Sequence, residues 1–177
     1  MKYDELKDCD LVKHLIKDID DNADWLCFFL MFSRFEYALK RSKYAKMNNN
    51  NLEIEWDRFG KEVKETFATY NSDELSKAID KLKNKPPKKQ VLKDGQLGWD
   101  CPNEDYRDIQ TLINAIKRVR NNLFHGGKFP NPTGPVEDPT RNKELIKHSI
   151  IVLKHLLYSS PEVQRHYFEE LEWESKP

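Results

Sequence analysis

Residues 118–128 (Arg118, Val119, Arg120, Asn121, Asn122, Leu123, Phe124, His125, Gly126, Gly127, Lys128) gather several polar groups at the end of an otherwise apolar helical stripe. Four residues separate Arg120 from His125. An imidazole titrates near neutral pH and can give or take a proton, and a guanidinium presents a rigid fork that matches carboxylate or phosphate oxygens. A helix C-terminus favours the charged form of His125, whereas Arg118 and Arg120 disfavour it, so the direction of proton transfer stays open at this point.

Helical phase sharpens the reading. Arg120 falls inside the stripe set by Ile109, Ile113, Ile116 and Leu123, where an unpaired charge is expensive. A carboxylate of the same chain, with Glu36 as one candidate, or a phosphate at an interface between two copies would compensate it. On an ideal helix His125 points about 140° away from Arg120, so the two converge only if the helix frays at Gly126 or a second chain contributes.

The elements that must position these groups follow from three- and four-residue apolar spacing. Leu6, Leu11, Val12, Leu15, Ile16 and Ile19 predict an amphipathic first helix over about residues 3–19. A second, capped by Asn22 or Asp24, runs to about residue 45 through Trp25, Phe29, Phe32, Phe35 and Leu39, and as the most apolar it is expected at the centre of the bundle. The Asn-rich stretch 47–51 reads as a loop. Trp56, Phe59, Val63, Phe67 and Tyr70 predict a third helix, and Ser72 caps a fourth through Leu75, Ile79 and Leu82 that ends at Pro86-Pro87. Residues 88–103, with Gly95, Gly98 and Pro102, read as a connecting loop anchored by Trp99. The helix bearing Tyr106, Ile109, Leu112, Ile113, Ile116, Val119 and Leu123 stops at Gly126-Gly127. After a proline-rich loop, Asp138-Pro139-Thr140 opens a helix through Leu145, Ile146, Ile150, Leu153 and Leu156, and Ser160-Pro161 opens a last one to about residue 173. No period-2 strand and no internal repeat stands out. The expectation is therefore an all-α, antiparallel helical bundle, a single domain over residues 1–177 with its core at about 22–158.

Composition narrows the chemistry. Hydrophobic residues make up 38% and charged residues 34% of the 177, which suits a folded chain rather than a disordered or membrane one. The longest apolar run, residues 25–32, is far below the roughly 20 needed to cross a bilayer, and the N-terminus lacks the apolar stretch of a secretory signal, so a cytoplasmic location without membrane is expected. Thirty basic and thirty acidic residues cancel, so any nucleic-acid binding has to be local. Cys9, Cys27 and Cys101 read as free thiols, with Cys27 in the core. His14, His148, His155 and His166 fall on different helices without ligand partners; no metal or cofactor is expected, and glycine-rich phosphate loops, GxSxG and HExxH are absent.

The segment from Arg120 to His125 resembles the Arg-x4-6-His motif of HEPN domains, with Asn121 at the position after arginine where a polar residue is usual; Arg118 satisfies the looser spacing as well. The run Phe32-Ser33-Arg34-Phe35-Glu36-Tyr37-Ala38-Leu39-Lys40 is similar to an early helix of that family, so the resemblance spans roughly residues 25–158. It implies a homodimer whose two Arg/His sets line one cleft, and a metal-independent endoribonuclease that cleaves RNA by attack of the ribose 2′-OH, of the kind found in toxin–antitoxin or phage-defence systems, with an antitoxin or regulatory protein as partner. Arg120 would then clamp the scissile phosphate, His125 would move a proton, and Asn121 would orient one or the other, with Arg118, Asn122, Glu36 and Lys128 in support. Lys85, Lys88 and Lys89 would guide the RNA backbone. The plainer readings are an arginine in an internal ion pair, a helix-end histidine capping carbonyls, and lysines on a solvated loop; a noncatalytic module that binds a protein or nucleotide partner also fits the same resemblance.

Overall fold

Within the described residues the apolar stripes become helices where their spacing predicts, and two of the starts are set by serine caps. In a computed structural model, which describes residues 23–102, 104, 108–124 and 139–169, six helices alternate with two short hairpins. In chain order they are α1 (Ala23–Arg41), β1 (Ala45–Asn48), β2 (Asn51–Ile54), α2 (Trp56–Ala68), α3 (Asp73–Asn84), β3 (Lys89–Lys93), β4 (Gln96–Asp100), α4 (Ile109–Phe124), α5 (Pro139–Tyr158) and α6 (Pro161–Phe168). Ser72 and Ser160 cap α3 and α6, their hydroxyls accepting from the backbone N–H of Leu75 and Val163. Pro161 occupies the first turn of α6, where its missing N–H costs nothing. The predicted first helix, His125, Lys128, Cys9 and the last part of the predicted C-terminal helix lie outside the described residues.

Three expectations are corrected. The all-α reading gives way to a mostly helical fold with two antiparallel hairpins, at the stretches read as loops. In the first, Ala45 pairs with Ile54 and Asn48 with Asn51; in the second, Lys89 pairs with Asp100 and Lys93 with Gln96. The turn residues Asn49, Asn50, Asp94 and Gly95 all take positive φ, the backbone that matches the twist of a two-residue hairpin and that asparagine, aspartate and glycine tolerate best. Second, α1 ends at Arg41, and although it supplies Phe28, Phe32, Phe35 and Leu39 to the core, it is not the described helix that touches the most others. The hub is α5, which packs against α1, α2, α3, α4 and α6. Third, Cys27 is exposed, because the neighbouring Phe28 takes the core-facing position.

The core joins Phe28, Phe32, Phe35 and Leu39 of α1 to Phe59 and Val63 of α2, Ile113 and Ile116 of α4, and Val152, Leu153 and Leu156 of α5. Phe35 meets Phe59 edge-on at 5.5 Å, and Tyr44 meets Phe59 likewise at 5.2 Å, geometries that add to the burial of each ring. Gly60 lets α2 approach α4 closely: a Cβ there would stand 2.6 Å from Gln110 Oε1 and 3.0 Å from Ile113 Cδ1. By contrast, α1 and α4 have little direct backbone contact, and long side chains bridge them.

Candidate functional site

Helix α4 carries two arginines two positions apart, and about 200° of rotation sends them to opposite sides. Arg120 faces α1. Its Nη2 donates to Glu36 Oε1 at 2.6 Å, its Nη1 donates to Asn121 Oδ1 at 2.8 Å, and its guanidinium lies 5.1 Å from the centre of the Phe32 ring. The local cause is simple: Glu36 sits one turn beyond Phe32 on α1, so the ring and the carboxylate form a floor and a wall for the same cation. The side chains of Arg120 and Glu36 keep 28% and 24% of their exposure, so the charge predicted to need compensation on an apolar stripe is met by Glu36 at the edge of the core, in partial contact with solvent.

Arg118 faces the other way. It grips both oxygens of Glu104, at 2.7 and 3.3 Å, and reaches the carbonyl of Pro87 at 3.4 Å. Asn122, one turn on and buried, donates to the carbonyl of Lys88 at 2.9 Å, and Arg141 of α5 donates to the carbonyl of Pro86 at 2.6 Å. Three successive carbonyls, of Pro86, Pro87 and Lys88, thus take partners from α4 and α5 in a stretch whose two prolines have no N–H with which to extend a ladder. Arg118 and Asn122 thereby fasten β3 to the bundle. Lys88 and Lys89 are exposed on this same side, and Lys85 stands 3.9 Å from Glu144. The sequence-predicted residues therefore separate into two groups: Arg120, Asn121 and Glu36 come together, whereas Arg118, Asn122, Lys85, Lys88 and Lys89 belong to the opposite side of α4.

Two residues on the Arg120 side were missed by sequence reasoning. Trp56, the first residue of α2, stacks on Phe32 with ring centres 5.9 Å apart, and Lys117, one turn before Arg120, places its ammonium 5.3 Å from the centre of the Trp56 ring. Burial pushes the Lys117 amine below the ordinary lysine range; Asp57 opposes this, Arg120 reinforces it, and Glu36 again opposes it. The signal in the sequence was available: a lysine three residues before an arginine on a helix shares its face.

Trp56 reaches this place through the first hairpin, where the backbone N–H of Glu55 donates to the carbonyl of Tyr44 at 2.8 Å. Around that junction Glu62 receives Lys43 at 2.6 Å, Arg58 at 3.1 Å and the Tyr44 hydroxyl at 3.1 Å. The hydrogen bond from Lys43 above all holds the Glu62 carboxyl below the usual carboxylate range, while burial and the same carboxylate push the Tyr44 phenol up.

Among the described residues no group of three His, Cys, Asp or Glu side chains is arranged to hold a metal ion, and no helix is long and apolar enough to cross a membrane. The chemistry the site offers is that of a guanidinium fork fixed between a carboxylate and an aromatic ring, with a half-buried ammonium one turn away. No protein-family model, no curated protein and no solved structure matches the chain.

Proposed function

We propose that the chain is a metal-independent endoribonuclease of the HEPN type, a helical bundle that acts as a homodimer in a toxin–antitoxin or phage-defence setting. The observation that carries this reading is the placement of Arg120: a charged fork is held at the margin of the core by Glu36 and Phe32, on the last turns of the helix from which His125 follows in sequence. In this mechanism the ribose 2′-oxygen attacks the neighbouring phosphorus, the bond to the departing 5′-oxygen breaks, and a 2′,3′-cyclic phosphate and a 5′-hydroxyl result. Arg120 clamps the scissile phosphate and stabilises the charge that grows on it. His125 moves the proton, from the 2′-OH or to the 5′-oxygen. Glu36 and Asn121 hold the fork in one orientation, which lowers the entropy lost when phosphate binds. Pairing of two copies would bring two such sets to one cleft.

The test is incubation of the purified chain with single-stranded RNA in EDTA across neutral pH. Cleavage by wild type that His125→Ala loses supports the assignment; a wild type that cuts no better than His125→Ala ends it. One observation favours a second reading, a noncatalytic module for a protein or nucleotide partner. Glu36 already neutralises Arg120 within the chain, as a purely structural ion pair would. Its mark is binding without cleavage.

A further inference from the structure

One turn of α4 away from Arg120, at Lys117, lies an open groove of about 640 Å³ between β2, the start of α2 and α4, lined by Trp56, Lys46, Lys61 and Lys117 together with Asp57 and Ile54. Its acids are unevenly answered. Glu55 and Glu62, also on its wall, are taken up by Arg58 at 3.2 and 3.1 Å, and Glu62 by Lys43 as well. That leaves Lys46, Lys61 and Lys117 facing Asp57. Lys46 and Lys61 are exposed, whereas Lys117 is half-buried on the indole.

We infer that this groove holds the nucleotide of a single-stranded RNA adjoining the phosphate at Arg120, its base against Trp56 and its phosphate among Lys46, Lys61 and Lys117. The choice of RNA rests on the ribonuclease reading; the groove, its ring and its cations do not. A planar aromatic flanked by cations is how sequence-tolerant single-strand binding is built, stacking on the ring and ion pairing along the backbone. Lys117 and Arg120 stand three residues apart on one helix face, roughly 5 Å along the axis, the scale of one step along a strand. The depressed amine of Lys117 adds a further push, since a bound phosphate restores the charged form that burial disfavours. The groove also replaces Lys85, Lys88 and Lys89 as the backbone track, because those lysines sit on the far side of α4.

The experiment measures binding of the full chain to a 2′-O-methyl oligoribonucleotide, which cannot be cleaved by 2′-OH attack, at low and moderate salt. The double variant Lys46→Glu/Lys61→Glu alters only exposed side chains, so its fold is kept; Lys117→Gln is measured beside it. We expect the double variant to bind at least about tenfold more weakly and to show a shallower salt dependence, with Lys85→Glu/Lys89→Glu close to wild type. Wild-type affinity in the double variant, or no binding by wild type at low salt, overturns the inference. Groove-dependent binding by a chain that cuts no cleavable RNA would sink the ribonuclease reading alone, and cleavage unaffected by the groove variants would sink the groove alone.

Discussion

The two sides of α4 put the same residue type to different uses. On one side Arg118, with only 15% of its side chain exposed, is clamped by both oxygens of Glu104 and by a backbone carbonyl, while Asn122 below it is buried against Lys88. Those contacts fasten a hairpin. On the other side Arg120 donates to one oxygen of Glu36 and rests on Phe32, and one turn away Lys117 is tucked against Trp56 on the wall of an open groove. The lesson is that a charge is spent on architecture when its partners enclose it, and is available for recognition when its partners orient it from one side.

That contrast is best broken by exchanging its terms. Arg120→Ala should lower RNA cleavage by roughly 100-fold or more while costing only about 1 kcal/mol of stability, since its ion pair is partly exposed. Arg118→Ala should do the reverse, leaving cleavage per folded molecule near wild type and lowering stability by about 2 kcal/mol in urea unfolding. Equal effects from the two substitutions would erase the distinction.

A smaller effect probes the fastening side directly. Asn122→Ala strips a buried donor from the carbonyl of Lys88 and should cost about 1–2 kcal/mol, read as a lower midpoint in thermal unfolding with cleavage unchanged. Smaller still is Glu36→Gln, which keeps an acceptor for Arg120 but removes the charge. Its expected loss is under about 1 kcal/mol, and RNA affinity should rise because a competing anion is gone.

The smallest effect lies away from both arginines, at His148 on α5. Burial pushes its imidazole below the ordinary 6.5, with Glu144 opposing and Lys81 and Lys147 reinforcing the shift. The fold therefore prefers the neutral form. Above pH about 6.5 nothing is lost; as pH falls through that value the unfolded chain takes up the proton first, and stability declines until the folded form titrates too. His148→Gln should flatten part of the fall in melting temperature between pH 7 and 5, and an unchanged slope would contradict this account.

What the sequence discloses depends on how far a feature relies on local rules. Ser72 and Ser160 announce their helices because a hydroxyl before an apolar run has one obvious use. Glu36 could be named in advance as a partner for Arg120 because an arginine on an apolar stripe demands a carboxylate. The hairpins were hidden because their strands are only four and five residues long and β1, β2 and β3 are mostly exposed, which leaves no apolar alternation to read. Their turn pairs, Asn49-Asn50 and Asp94-Gly95, were the better signal, since they supply the positive φ that a two-residue hairpin needs. The Trp56–Lys117 contact joins residues 61 positions apart through the Gly60 approach of α2 to α4, and no local pattern encodes that meeting.

The most direct test of the central claim is Arg120→Lys, followed by RNA cleavage in EDTA and thermal melting on the same preparation. A lysine keeps a cation for Glu36 but loses the planar fork. Cleavage reduced at least about tenfold with a melting temperature within a few degrees of wild type is the predicted result. Full cleavage by the lysine variant, or a collapse in stability with cleavage per folded molecule intact, would mean that Arg120 serves the fold and not the phosphate.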